Sequence, residues 1–307
     1  MKIKRVFIWG HKENGHTHSY VHYGYFKAFR HLGYETFWTD DLPLGPNDIF
    51  KDSLYLTEGQ VDKNIPIDKS NVYILHNCEN ENKKYKEAGC NYLELGNYLK
   101  FCETGEGRNH PGNKITKIKD FCFYDDISPT LYQTWATDLL PHEIKIEDAC
   151  LYDSTKDKVH FVGYRWQENE KPIQQFMKAC SDNGKTFVPN FRVTFEEDRR
   201  LIRESYVCPD FRGPWHIECG YIPCRIFKGL SYGKVVGTNS KHIQDMFPEY
   251  VAYSENNYDL FKACEEHYKS ASLKKIQEAM LFVKANHTYI NRIENILYIL
   301  KNRGLVE

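Results

Sequence analysis

Two stretches of this chain carry residue types that could do chemistry. The first is GHKENGHTHS, residues 10–19, with His11, His16 and His18 inside eight positions. Imidazole titrates near neutral pH, so it suits a general base, and it also ligates transition metals. Glu13 is the one acid in the stretch and no cysteine lies close by, so the expectation here is no metal. His16 and His18 are the candidate bases, with His11 behind them. Asp40 and Asp41 compete for that role, unless they are turn acids ahead of Pro43. The second stretch runs from Tyr206 to Asn239. Trp215, His216 and Glu218 precede a short helix that opens at Pro223 and carries Arg225 and Lys228. A helix start offers backbone N–H groups and the positive end of a dipole, which suits an anion, above all a diphosphate. A cation in the first turn opposes that dipole, and an anion at the same end removes the conflict. The competing reading of Arg225 is an arginine on a solvated helix face.

These side chains need elements to hold them. Proline at the first helical position and Gly233 past the end bracket one short helix between two strands. A strand, a helix and a parallel strand form a right-handed crossover unit. Thr238 and Asn239 follow the second of these strands, where side chains meet ligands. At the N-terminus, Arg5–Trp9 reads as a strand, 20–32 as a helix and 35–38 as a second strand. Residues 48–50, 72–76, 92–99 and 121–124 read as further strands. Residues 103–119, rich in glycine and charge, read as a loop. A second alternation follows 141–158, with strands at 159–162, 185–188 and 251–253. Helices are expected at 171–182, 195–204, 242–247, 257–268, 273–285 and 289–301. The fold class implied is α/β, with two doubly wound domains covering 1–145 and 146–307.

A chain of 307 residues has room for two domains. Its 41 basic and 42 acidic residues nearly cancel, which argues against nucleic acid as a partner. The 10 cysteines include no C-x-x-C pair, so reduced thiols in a cytoplasmic protein are expected. No apolar run reaches the ~18 residues of a membrane helix, although peripheral contact with a membrane stays open.

The segment YIPCRIFKGLSYGKVVGTN resembles the donor-binding segment of GT-B glycosyltransferases, in the group 1 and CgeB-like branch. YQTWATDLLP, from Tyr132, is similar to the stretch before the inter-domain linker of such proteins. VHFVGYRW, from Val159, is similar to the first strand and turn of their second domain. The resemblance implies two Rossmann-like domains facing across a cleft. It implies transfer from a nucleotide-diphosphate sugar to a hydroxyl of a glycan or related acceptor, with no metal and no cofactor. Gly163 would let backbone approach the donor, and Arg165 would neutralise the leaving diphosphate. Asn190 and Phe191 would lie beside the base, with Phe191 stacked on it. Trp215, His216, Glu218, Pro223, Arg225, Lys228, Thr238 and Asn239 would complete the donor site. Lys228 stands where many retaining members carry a glutamate on the ribose. The histidine loop would supply the acceptor's base if the enzyme inverts. A nucleotide-sugar binding module without turnover and an epimerase or phosphorylase on the same fold remain as alternatives.

Overall fold

The computed structural model describes residues 2–12, 16, 18–40, 51–78, 82–104 and 115–307. They pack into two units: 1–134 with 289–307, and 135–288. The division therefore falls before the expected 145, and the last helix goes with the first unit.

The first unit opens with β1 (Arg5–Trp9), α1 (Ser19–His31) and β2 (Glu35–Thr39). β3 (Ser53–Glu58) and β4 (Val72–His76) are buried along their whole lengths, as strands covered on both faces must be. α2 (Lys83–Glu87), β5 (Asn91–Gly96), α3 (Leu99–Thr104), β6 (Ile115–Lys119), β7 (Cys122–Asp125) and β8 (Thr130–Gln133) follow. The sheet order is β2-β1-β3-β4-β5-β8-β7-β6. Pairing is parallel from β2 to β8, and β7 and β6 add an antiparallel edge. The reading expected a strand at 48–50. Those residues lie outside the described set, and the strand that pairs with β1 is β3. Matched register stacks Phe37, Phe7, Tyr55 and Tyr73 across four strands, with neighbouring ring centroids 4.9–5.2 Å apart. Within 103–119, the expected loop, β6 occupies the end, and 105–114 lie outside the described residues.

Early in the second unit come two single 3-10 turns, Pro141–Glu143 and Ile146–Asp148. β9 (Lys158–Val162), α4 (Gln167–Asp182), β10 (Thr186–Asn190) and α5 (Phe195–Glu204) come next. The Thr194 hydroxyl caps α5 by accepting the Glu197 N–H. β11 (Cys208–Asp210) is followed by α6 (Pro214–Cys219), α7 (Cys224–Ser231) and β12 (Val236–Thr238). α8 (Lys241–Met246), β13 (Val251–Tyr253), α9 (Asp259–Ser270) and α10 (Leu273–Asn286) complete the unit. β10 pairs parallel with β9, and β11, β12 and β13 pair parallel in that order. The Tyr206 N–H donates to Lys158 O at 2.7 Å, which lays the approach to β11 along β9. Trp215 and His216 lie on their own short helix, α6, between β11 and α7.

The chain ends with α11 (Tyr289–Asn302), which packs on α1 of the first unit. Both units are α/β: in the first the strand order reverses next to β1, and in the second β10-β9 and β11-β12-β13 form two parallel sheets that run to either side from β9 and β11. In such sheets ligands bind beyond the carboxyl ends of the strands at the reversal. Among the described residues, no helix is long and apolar enough to cross a membrane.

Candidate functional site

In the second unit the reversal lies between β9 and β11. Asp210 ends β11 and is fully buried. Two arginines meet it: Arg212 Nη2 at 2.6 Å and Arg225 Nη1 at 3.5 Å, both on Oδ1. The Thr238 hydroxyl, at the end of β12, donates to the other carboxylate oxygen at 3.3 Å. Asn239 clamps the Arg212 backbone, its Oδ1 accepting the N–H at 2.7 Å and its Nδ2 donating to the carbonyl at 3.0 Å. Arg225 donates from Nη2 to Val162 O at 2.5 Å and lies over the Phe161 ring at 4.1 Å. Burial pulls its pKa down, and Asp210 opposes that shift. Two guanidinium groups thus share one buried carboxylate and leave one positive charge over, beside the start of α7. Pro223 is the N-cap residue of α7, without a side-chain cap. An anion here would balance the remaining charge.

Gly163 is part of this site for a reason other than the expected one. Its N–H already donates to Asn190 O at 3.0 Å. A Cβ there would sit 2.0 Å from Arg225 Nη2, so the missing side chain makes room for the guanidinium. Lys228, expected at the phosphates or ribose, is buried against Asp198 of α5 in a close ion pair. Burial alone would lower the Lys228 pKa, and the charge of Asp198 outweighs that and raises it. Arg165 is engaged locally, donating from Nε to Glu170 at 3.0 Å on the first turn of α4. His216 is packed against Tyr221 and Trp166, and burial with the nearby Arg212 charge lowers its pKa to about 4. It is a neutral ring at neutral pH and adds no charge for a diphosphate. Trp215 is half-buried and Glu218 exposed on α6. Asn190 donates to Val188 O at 2.8 Å, with its Nδ2 3.4 Å from His160 Nδ1. Phe191 is exposed and sits 5.3 Å from the equally exposed Tyr164 ring, so the ends of β9 and β10 present an aromatic pair.

In the first unit the reversal lies between β1 and β3, and the histidine loop follows β1. His11 Nε2 is 3.0 Å from Glu58 Oε2, and His18 Nδ1 is 3.8 Å from Glu58 Oε1. Glu58 ends β3 and is fully buried. Its carboxyl, which burial alone would push up, is held well below the usual range by His11 and His18. His18 caps α1, and His22 lies one turn along, with Nδ1 3.4 Å from His11 O. His76 ends β4, opposite Glu58 in the ladder, with its ring 4.7 Å from that of His18. Burial lowers the pKa of both His22 and His76, His22 to about 3. His16 stacks on His11 at 4.0 Å. Among the described residues no hydrogen bond or ion pair joins Asp40 to this cluster, and Asp41 lies outside them.

The reading from sequence missed Glu58, His22, His76, Asp210 and Arg212. One signal for the acids was available: each is the final residue of a strand, in SLYLTE and CPD.

No family model and no curated protein matches the chain. Among solved structures it is similar to "OtsA apo structure", at 10% identity and a TM-score of 0.40, covering 92% of this chain and 77% of that one. A trehalose-6-phosphate synthase studied with bisubstrate glycomimetics gives 10% identity and a TM-score of 0.41, covering 92% and 78%. An E. coli structure described as trehalose-6-phosphate bound with UDP-2-fluoro glucose gives 9% and 0.40, covering 92% and 77%. Likeness this loose decides neither activity nor ligand.

Proposed function

We propose that this chain is a glycosyltransferase that moves a sugar from a nucleotide-diphosphate donor to a hydroxyl acceptor. The observation that carries the reading is the pair Arg212 and Arg225 on the single carboxylate of Asp210, at the strand reversal of the second unit. A diphosphate supplies the missing negative charge, and it is the leaving group of this transfer. Arg225 and Arg212 hold it as charge develops on the departing oxygen. Tyr164 and Phe191 offer a stacking surface for the nucleotide base. The first unit takes the acceptor, and His11 or His18 removes its proton. Each ring has one nitrogen turned to Glu58, which orients it as a carboxylate orients the imidazole of a hydrolytic triad. The donor charge is met by arginines, so donor binding needs no divalent ion.

The test is a thermal-shift and calorimetric screen against nucleotide diphosphates and their sugars. A ligand at 100 times its Kd should add about 2.7 kcal/mol of stability. Arg225→Ala should weaken that binding about tenfold or more, the scale of a charge-assisted contact, and EDTA should leave it unchanged. If no nucleotide stabilises the chain, or Arg225→Ala binds like the wild type, the assignment fails. Release of nucleotide diphosphate with an acceptor present separates turnover from mere binding.

A further inference from the structure

In sequence the histidine loop offers no cysteine and a single acid, Glu13, which argues against a metal site. The fold removes that objection. Glu58 arrives from the end of β3 and places a fully buried carboxylate against His11 and His18. His11, His16 and His18 each offer a ligand atom, and these atoms lie within 4.8 Å of one another. A zinc ion bound tetrahedrally by imidazole and carboxylate needs donor atoms about 3.3 Å apart, from metal–ligand bonds of 2.0–2.2 Å. Glu58 spans the two rings, with Oε2 3.0 Å from His11 Nε2 and Oε1 3.8 Å from His18 Nδ1, separations near that value. A fully buried carboxylate needs a partner for its charge. A divalent ion would balance Glu58 and take the neighbouring ring nitrogens as ligands.

We propose that His11, His18 and Glu58 form a transition-metal site in the first unit, with His16 as the fourth ligand and zinc as the preferred ion. Imidazole with one carboxylate is a borderline donor set that suits zinc rather than magnesium or calcium. His16 is the weakest member. Its Nδ1 accepts the N–H of His18 at 3.2 Å, a bond that it gives up to ligate through that atom. His22 and His76 close the cluster from behind through ring contacts of 6.1 Å to His11 and 4.7 Å to His18. The site uses the histidines that the transfer reading offers as the acceptor's base, and the two are tested separately, by zinc affinity here and by nucleotide-diphosphate binding there. A nitrogen that ligates metal cannot also accept a proton, so a loaded site and a histidine base at that nitrogen exclude each other.

The test uses the full chain without an affinity tag, stripped with a chelator and titrated with zinc by calorimetry. Cobalt, titrated in parallel, reports geometry through its visible absorption. One equivalent of zinc and a four-coordinate cobalt spectrum are expected. His11→Ala, His18→Ala and Glu58→Gln should each lower zinc affinity at least about tenfold, the scale on which ligand and support changes act. His16→Ala should lower it less, and His31→Ala, an exposed control at the end of α1, not at all. Glu58→Gln keeps the side chain's shape, and its melting curve without metal shows whether it folds. Substoichiometric binding overturns the proposal. So does wild-type zinc affinity in folded Glu58→Gln together with His11→Ala.

Discussion

Arg225 shows how one side chain depends on the absence of another. Its guanidinium lies where residue 163 would carry a Cβ, and Val162 O and the Phe161 ring hold it there. Gly163→Ala should therefore act on ligand binding through Arg225. The alanine adds one methyl at a backbone already bonded to Asn190 O, so the fold should persist while the guanidinium is displaced. Nucleotide-diphosphate affinity should fall nearly as far as in Arg225→Ala, about tenfold, and the double variant should fall little further. Full additivity in a calorimetric double-mutant cycle would show that the two residues act independently. Lys228 gives the opposite lesson. It lies three residues from Arg225 on one helix, yet its ammonium is committed to Asp198 and serves packing.

At the scale of elements, the turn between α7 and β12 carries a second buried lysine. Lys234 donates from Nζ to Ser205 O at 2.7 Å and to the Tyr268 hydroxyl at 3.1 Å, and it lies over the Tyr268 ring. Burial lowers its pKa to about 7 from the usual 10.5, and the Lys156 charge adds to that, while Cys150, Cys208 and Asp153 oppose it. The folded chain thus releases this proton at lower pH than the unfolded chain. Between these two values the unfolded state binds more protons, so the cost of burying Lys234 fades as pH rises. It is present in full below about 7 and gone above 10.5. Lys234→Met should therefore gain on the wild type at low pH. The difference should stay flat below about pH 7 and change by up to about 1.4 kcal/mol per pH unit above it, the wild type recovering. Urea unfolding of both proteins across this range measures the difference directly. A difference that does not vary with pH would mean that Lys234 stays charged in the folded chain.

At the scale of the molecule, the chain leaves the first unit at Thr134 and returns to it at Tyr289. α11 is integral to that unit. Arg292 is buried and donates to Thr134 O at 2.8 Å and to the Thr134 hydroxyl at 2.7 Å, and burial lowers its pKa to about 10. Asn295 donates to Gln133 at 3.0 Å, and the Tyr289 ring meets Tyr25 of α1 at 4.6 Å. Ile293, Ile296, Ile299 and Leu300 are buried with them. A chain ending at residue 288 should lose slow hydrogen exchange in β1, β3 and β4 and keep it in β9 and β12. Each lost aliphatic side chain is worth about 1.5–3 kcal/mol of burial, so four are comparable to the whole margin of an ordinary domain, about 5–15 kcal/mol. Persistent protection of β3 and β4 in the shortened chain would show that the first unit stands without α11.

Sequence alone determined the local elements, most completely in the second unit. The helices read at 195–204 and 273–285 and the strand read at 251–253 match the structure to within a residue, and Thr194 and Ser272 cap the two helices there. Pro223 and Gly233 likewise bracket α7, with Gly233 at φ +79°. These features are legible because capping, turn geometry and amphipathic spacing act over a few residues. It also pointed to Arg225 and the histidine loop, whose residue types are chemically uncommon together. Only the tertiary structure decided what each side chain faces. The parallel register of β1 with β3 carries Glu58 to His11, and that of β11 with β12 carries Thr238 to Asp210. The crossing of α5 and α7 turns Lys228 from a ligand contact into a buried pair. The return of α11 adds a helix to the first unit that sequence order assigns to the second. Such pairings join residues tens of positions apart. A charge's role depends on its burial and its partner, and both arise only when strands align and helices pack.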